Sequence, residues 1–173
     1  MRSIQSYIVN FLIRFNHLFN GKLKKEAFDD TTSIPDFRER CEKSAARYSK
    51  LPKGIRIAEN NLDGMKMEYL IPEGAPGKCL VLYIHGGGYV SGSCKDHRGF
   101  VAKLAKQTGF THLLFEYRLA PEHPYPAAIE DSIKVYRHLL DKGIAPENVL
   151  IAGESAGGGL TLALLLAIKN LEL

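Results

Sequence analysis

Residues 150–159, Leu150-Ile151-Ala152-Gly153-Glu154-Ser155-Ala156-Gly157-Gly158-Gly159, decide how the rest of the chain is read. An apolar run, Val149–Ala152, stops at Gly153, and an apolar segment with helical character, Leu160–Ile168, follows. The order is strand, sharp turn, helix, with Ser155 at the bend and Gly153 and Gly157 on either side. A serine held on such a turn is predicted to have a strained backbone, and only glycine-sized neighbours let the flanking chains pass so closely. The helix start behind it offers backbone N–H groups to a negative oxygen. By itself Gly-x-Ser-x-Gly fits a structural turn equally well, because small residues are common where strands run into helices. The surrounding sequence has to decide.

Upstream, Leu80–Ile84 is a second continuous apolar run, expected of a strand buried on both faces of a parallel sheet, and it ends in His85-Gly86-Gly87-Gly88. A helix over about 97–107, capped by Asp96, is expected next, then a strand at Thr111–Tyr117. After the proline-containing loop Arg118–Tyr125, Pro126 opens a helix to about Leu140, stopped by Gly143. Strand and helix alternate three times, which argues an α/β fold with a mostly parallel sheet and flanking helices. Further upstream, Lys53–Ala58 and Met65–Ile71 read as two strands joined through a turn ending in Asp63-Gly64. Pro35–Tyr48 reads as a polar helix with Pro35 in its first turn. Residues 3–19 place Ile4, Ile8, Phe11, Leu12, Phe15, Leu18 and Phe19 at helical spacing. That helix is expected to pack its apolar face onto the domain rather than lie on an anionic membrane with Lys22, Lys24 and Lys25, and its polar-edge His17 is expected to be solvated.

Both glycine turns follow buried strands, so both should face one crevice at the C-terminal ends of the strands. Three consecutive glycines present bare N–H groups, suited to the negative oxygen of a tetrahedral acyl intermediate. Three stretches taken together, His85–Tyr89 (HGGGY), Tyr117–Ala128 (YRLAPEHPYPAA) and Gly153–Gly158 (GESAGG), resemble the hormone-sensitive-lipase-like branch of the α/β-hydrolases. That branch includes bacterial carboxylesterases acting on short and medium acyl esters. The resemblance spans about residues 50–170 and implies an α/β-hydrolase fold and a small acyl-ester substrate. It implies Ser155 as the catalytic nucleophile, with the N–H groups of Gly87, Gly88 and Ala156 forming the oxyanion hole. It also implies that residues 1–45 form a helical cap segment over the acyl pocket, beside a partial hydrolase domain at 46–173.

The remaining site residues have blander expected roles. His85 props the glycine loop by a hydrogen bond, Gly86 serves the turn, and Gly153 and Gly157 make room at the bend. Arg118, Glu122 and the prolines fix a loop beneath the site. Glu154 orients the elbow or forms an ion pair, and His97, His112 and His138 are structural.

In this fold the triad follows the order nucleophile, acid, histidine. After Ser155 the sequence holds no histidine and no aspartate, and Glu172 is its only acid. The chain is therefore expected to be the N-terminal, truncated portion of a longer hydrolase, with impaired ester hydrolysis of its own. A non-catalytic small-ligand-binding module and an inactive fragment are the alternatives. Without a neighbour, strand 149–152 would present an apolar sheet edge, and self-association through it is expected unless a partner chain covers it.

Composition narrows the classes. The chain has 173 residues, 45% hydrophobic and 24% charged, with net charge +4, as befits one globular domain. No basic block interleaved with aromatics points to nucleic acid. No phosphate-binding glycine pattern and no cysteine or histidine ligand spacing stands in the sequence, so neither cofactor nor metal is expected. Three unpaired cysteines, Cys41, Cys79 and Cys94, suit a reducing, cytoplasmic setting, with Cys79 placed in a buried strand. No transmembrane segment is expected. Tyr7–Ile13 is apolar but broken by Asn10 and lacks a cleavage pattern, which argues against a signal peptide.

Overall fold

Leu80–Ile84 is apolar throughout and Thr111–Phe115 ends in the buried run Leu113-Leu114-Phe115, and both strands lie inside a five-stranded sheet. The computed structural model describes residues 4–15, 32–46 and 50–173, which divide into a unit at 1–33 and a unit at 34–173. In the larger unit the strands are β1 (Ile55–Leu62), β2 (Met65–Pro72), β3 (Leu80–Ile84), β4 (Thr111–Phe115) and β5 (Val149–Gly153). Their order is β1-β2-β4-β3-β5. β3 runs parallel to both β4 and β5, whereas β1 and β2 extend the sheet as an antiparallel hairpin. The result is a sheet of mixed type, parallel where the buried apolar runs stand.

The alternation within those runs decides what each face packs against. Leu82, Ile84, Leu113 and Phe115 point into a core closed by α4 (Ala127–Asp141) and α5 (Ala156–Asn170). Tyr83 and Leu114 point the other way, against Val101, Ala102 and Ala105 of α3 (Cys94–Thr108). Helices therefore cover both faces of the parallel strands, which is why β3 shows no polar side. In register, Leu82 pairs with Leu113 on one flank and Ile151 on the other. This fixes the ends of β3 and β5 side by side, with the glycine loop and the serine turn leaving from adjacent strands.

Three local expectations change. The cap of α3 is Ser93, not Asp96. Ser93 is extended (φ −157°, ψ 167°) and its hydroxyl accepts the Asp96 N–H at 3.1 Å, leaving Asp96 inside the first turn. The first strand reaches Leu62 rather than Ala58, because Asp63 (φ 51°) and Gly64 (φ 91°) make a two-residue turn that lets the ladder close from Leu62 to Met65. Cys79 is half-buried just before β3, its thiol facing the Asn148 side-chain oxygen at 3.6 Å. Gly143 (φ 80°) does follow α4, its N–H returning to Leu140.

β5 lies at the sheet edge with Leu150 61% exposed. α5 is apolar on all sides, so Leu160 and Leu164 reach the core while Leu162, Leu165 and Leu166 remain exposed. The opposite edge, β1, carries Arg56, Glu59, Asn60 and Asn61, a polar guard that β5 lacks.

α2 (Ile34–Ala46) also belongs to the larger unit, with Pro35 in its first turn; Tyr48 lies outside the described residues. In the smaller unit α1 spans Ile4–Arg14, and Ile4, Ile8, Phe11 and Leu12 on it are exposed. His17, Leu18, Phe19, Lys22, Lys24 and Lys25 lie outside the described residues.

Candidate active site

Where β5 runs into α5, Ser155 has φ 53° and ψ −123°, a combination that side chains strongly disfavour. It is exposed, and its hydroxyl makes no capping bond to the helix behind it. The bend is tight enough to explain the flanking glycines. A Cβ on Gly153 would stand 2.5 Å from the Gly157 carbonyl oxygen and 2.7 Å from that of Ile84. On Gly157 it would stand 2.1 Å from the Ile84 oxygen and 2.6 Å from that of His85. The end of β3 thus lies directly against the first turn of α5.

The glycine loop leaves β3 at that contact. A Cβ on Gly86 would lie 2.9 Å from the Glu154 carbonyl oxygen and 3.2 Å from the Ser155 Cβ, so Gly86 does more than serve the turn. It lets the loop lie against the serine. Gly87 (φ 119°) turns the loop back, and its carbonyl accepts the N–H groups of Val90 and Ser91 and the Ser91 hydroxyl, at 3.0–3.1 Å. Among the described residues, the N–H groups of Gly87, Gly88 and Ala156 have no internal acceptor. For Ala156 that is the ordinary state of a helix's first residue.

A buried polar cluster holds this junction from below. His85 is fully buried, and its Nδ1–H donates to the Gly86 carbonyl at 2.8 Å. Burial pushes its pKa down to about 4, which keeps the ring neutral at ordinary pH. The Tyr117 ring stacks on it at 4.3 Å, and the Tyr117 hydroxyl donates to the His85 carbonyl at 2.8 Å. Glu154 accepts the Gly86 N–H at 2.6 Å and pairs with His97 Nε2 at 3.0 Å. Burial would raise the Glu154 carboxyl, but the His97 bond, the Tyr83 phenol and the Gly86 N–H hold it at about 2. Burial pulls the His97 pKa down, but the bond and charge of Glu154, the Ser93 carbonyl and the Asp96 charge together outweigh it, so the pKa is raised.

Two arginines set the outer loops. Arg118 pairs with Asp131 and Glu130 of α4 and so fastens the loop after β4. Arg38, on α2, escaped the reading of the sequence altogether. Its Nε donates to the Val90 carbonyl (2.6 Å), Nη2 donates to that of Ala120 (3.0 Å), and the fork grips Glu122 at 2.7–2.8 Å. One side chain therefore ties α2 to the segment after the glycine loop and to the Ala120–Glu122 loop, which are also joined by the Ala120 N–H to the Tyr89 carbonyl. The partners lie 52 and 84 residues away, and no local pattern announces them.

Among the described residues no cluster of three or more histidine, cysteine, aspartate or glutamate side chains could hold a metal ion. No helix among them is long and apolar enough to cross a membrane.

Known proteins share this fold. A family model described as α/β hydrolase fold matches residues 81–173. An acetyl-hydrolase of Streptomyces hygroscopicus is 43% identical over 103 residues, covering 60% of this chain and 34% of the relative. The hormone-sensitive lipase of Bos taurus is 38% identical over 96 residues, covering 53% of this chain and 13% of the lipase. A solved esterase from the bacterial hormone-sensitive lipase family superposes with a TM-score of 0.80 at 32% identity, covering 99% of this chain and 54% of that one. The chain spans between about an eighth and a half of the length of these relatives.

Proposed function

The chain belongs to the hormone-sensitive-lipase-like branch of the α/β-hydrolase fold family, and on that premise we propose that it carries the nucleophile and oxyanion hole of a carboxylic ester hydrolase. Ser155 attacks the carbonyl carbon of a small acyl ester, and the N–H groups of Gly87, Gly88 and Ala156 donate hydrogen bonds to the developing oxyanion. The observation that carries the reading is the Ser155 backbone, φ 53° and ψ −123°, at an exposed bend with the glycine loop packed against it. Strain of this kind is kept where the surrounding structure over-determines it, and it lifts a nucleophile clear of the helix that follows.

No histidine follows Ser155 in the sequence, and His85, at the start of the glycine loop, is buried and neutral with its Nδ1–H committed to Gly86. A serine hydroxyl without a base is a weak nucleophile, so the 173-residue chain by itself hydrolyses esters slowly. Removing a triad base leaves roughly 10³–10⁴-fold over water from the oxyanion hole and binding. The same deficit slows deacylation, so an activated ester should leave its acyl group on the serine. Incubation with p-nitrophenyl acetate followed by intact-mass and peptide mapping tests this. The expected result is one acetyl group per chain, on Ser155, absent in Ser155→Ala. Equal acetylation of the two chains overturns the nucleophile assignment, and rapid turnover without accumulation overturns the impairment.

Cys41, Cys79 and Cys94 form no disulfide, which supports a reducing compartment as the place of action. The bare β5 edge and the exposed leucines of α5 support self-association of the isolated chain.

A further inference from the structure

Glu154 precedes Ser155 directly, and one of its oxygens has two partners. Oε1 accepts the Gly86 N–H and faces His97 Nε2. The other nitrogen of that ring, Nδ1, faces the Ser93 carbonyl oxygen at 3.2 Å. A neutral imidazole has one N–H and one lone pair and can serve only one of these two acceptors. An imidazolium serves both. On its far side Gly86 is held as well, its carbonyl accepting the His85 Nδ1–H. The His85 ring lies between the rings of Tyr117 and His97, 4.3 and 5.1 Å away. Gly86 is therefore gripped at its N–H by the elbow and at its C=O by the histidine stack, immediately before the two glycines whose N–H groups are free.

We propose that Glu154, paired with the His97 imidazolium, is the positioning residue that fixes the Gly86–Gly88 loop against Ser155. Glu154 touches no reacting atom; it acts through the loop, so that the N–H groups are aimed before charge develops rather than drawn in by it. The inference rests on the reading of Ser155 as nucleophile and of the loop as oxyanion hole. The groups facing the pair are Tyr83 and His85 from β3 and its end, Asp96 and Ser93 at the start of α3, and Tyr117 beyond β4. Asp96 favours the imidazolium together with Glu154, whereas the buried neutral His85 adds no charge near neutrality. The clamp is complete below the ordinary histidine range and is lost as pH rises through the elevated His97 value.

The test uses the full chain with two variants, Glu154→Ala and Glu154→Gln, and three readings. These are amide hydrogen exchange at Gly86, His97 titration by NMR, and the rate of Ser155 acetylation by p-nitrophenyl acetate. In Glu154→Ala, Gly86 exchange should accelerate and acetylation should slow, each by roughly tenfold, the scale of one lost charge-assisted hydrogen bond. Glu154→Gln retains an acceptor for Gly86 and should restore its protection, while His97 titrates at lower pH than in the parent chain. The proposal is overturned if Glu154→Ala leaves both Gly86 exchange and acetylation within about twofold of the parent, or if Glu154→Gln leaves His97 titration unmoved. Should Ser155 of the parent take no acetyl group, the nucleophile reading falls, and exchange and titration still decide the clamp.

Discussion

Adding one methyl group at Gly157 isolates the contact on which the elbow depends. A Cβ there would stand 2.1 Å from the Ile84 carbonyl oxygen, 2.6 Å from that of His85 and 2.8 Å from the His85 carbonyl carbon. All three are backbone atoms at the end of β3, and Ile84 is locked to Gly153 in the parallel ladder. A normal carbon–oxygen contact needs roughly 1 Å more than the shortest of these allows, so β3 and α5 must separate or the turn must deform. Overpacking against movable side chains costs about 1–3 kcal/mol, and immovable backbone puts Gly157→Ala at the top of that range, roughly 3 kcal/mol. For a chain of this length that lowers Tm by about 6–12 °C. Gly158→Ala is the internal control. A Cβ there meets only the Gly153 carbonyl, at 3.4 Å, and the position is helical. Alanine in place of helical glycine is neutral or stabilises by roughly 0.5–1 kcal/mol. Thermal unfolding of the two variants by circular dichroism reads the difference. Equal Tm values for Gly157→Ala and Gly158→Ala would refute the steric account of the glycine pattern.

Arg38→Ala removes every tie that this side chain makes from α2 to Val90, Ala120 and Glu122; limited proteolysis should then cut within residues 32–46 well before the sheet is attacked. Acid titration of stability should show two opposing histidines. His85, with its folded pKa pushed down to about 4, contributes stability that is present above pH 6.5 and falls away between about 6.5 and 4, by up to about 3 kcal/mol. His97, raised by Glu154, contributes in the opposite sense, its share present at low pH and lost as pH rises through its folded value. Glu154, depressed to about 2, keeps its share above its unfolded value and loses it as pH falls toward 2. His85→Asn should flatten the 6.5-to-4 limb of a urea-denaturation series. Sedimentation velocity across micromolar concentrations should show the chain self-associating, and Leu162→Lys with Leu166→Lys should shift it toward monomer. Concentration-independent monomers in both chains would contradict that expectation.

The central sheet was legible because burial on two faces leaves an apolar mark: it is uninterrupted over Leu80–Ile84 and spans Leu113–Phe115 after the polar Thr111 and His112. The serine turn was legible for a steric reason, since Gly153 and Gly157 sit where the backbones nearly touch. Caps and turns were harder. Ser93 and Asp96 are both good cap residues, and only the extended backbone of Ser93 selects it. The part of the site that the sequence hid consists of long-range polar pairs. Glu154 and His97 stand 57 positions apart, and Arg38 and Glu122 stand 84 apart. A charged residue in a sequence looks the same whether it is solvated or gripped, and only the fold brings its partner.

The account's central claim is that Ser155 and the glycine loop form one acyl-transfer site. A crystal structure of the 173-residue chain after reaction with a fluorophosphonate tests that claim most directly. The account predicts a phosphonyl group bonded to Ser155 Oγ, with its oxygen about 2.7–3.1 Å from the nitrogens of Gly87, Gly88 and Ala156. An adduct on another residue, or one on Ser155 whose oxygen points to solvent with those three N–H groups unengaged, would contradict it.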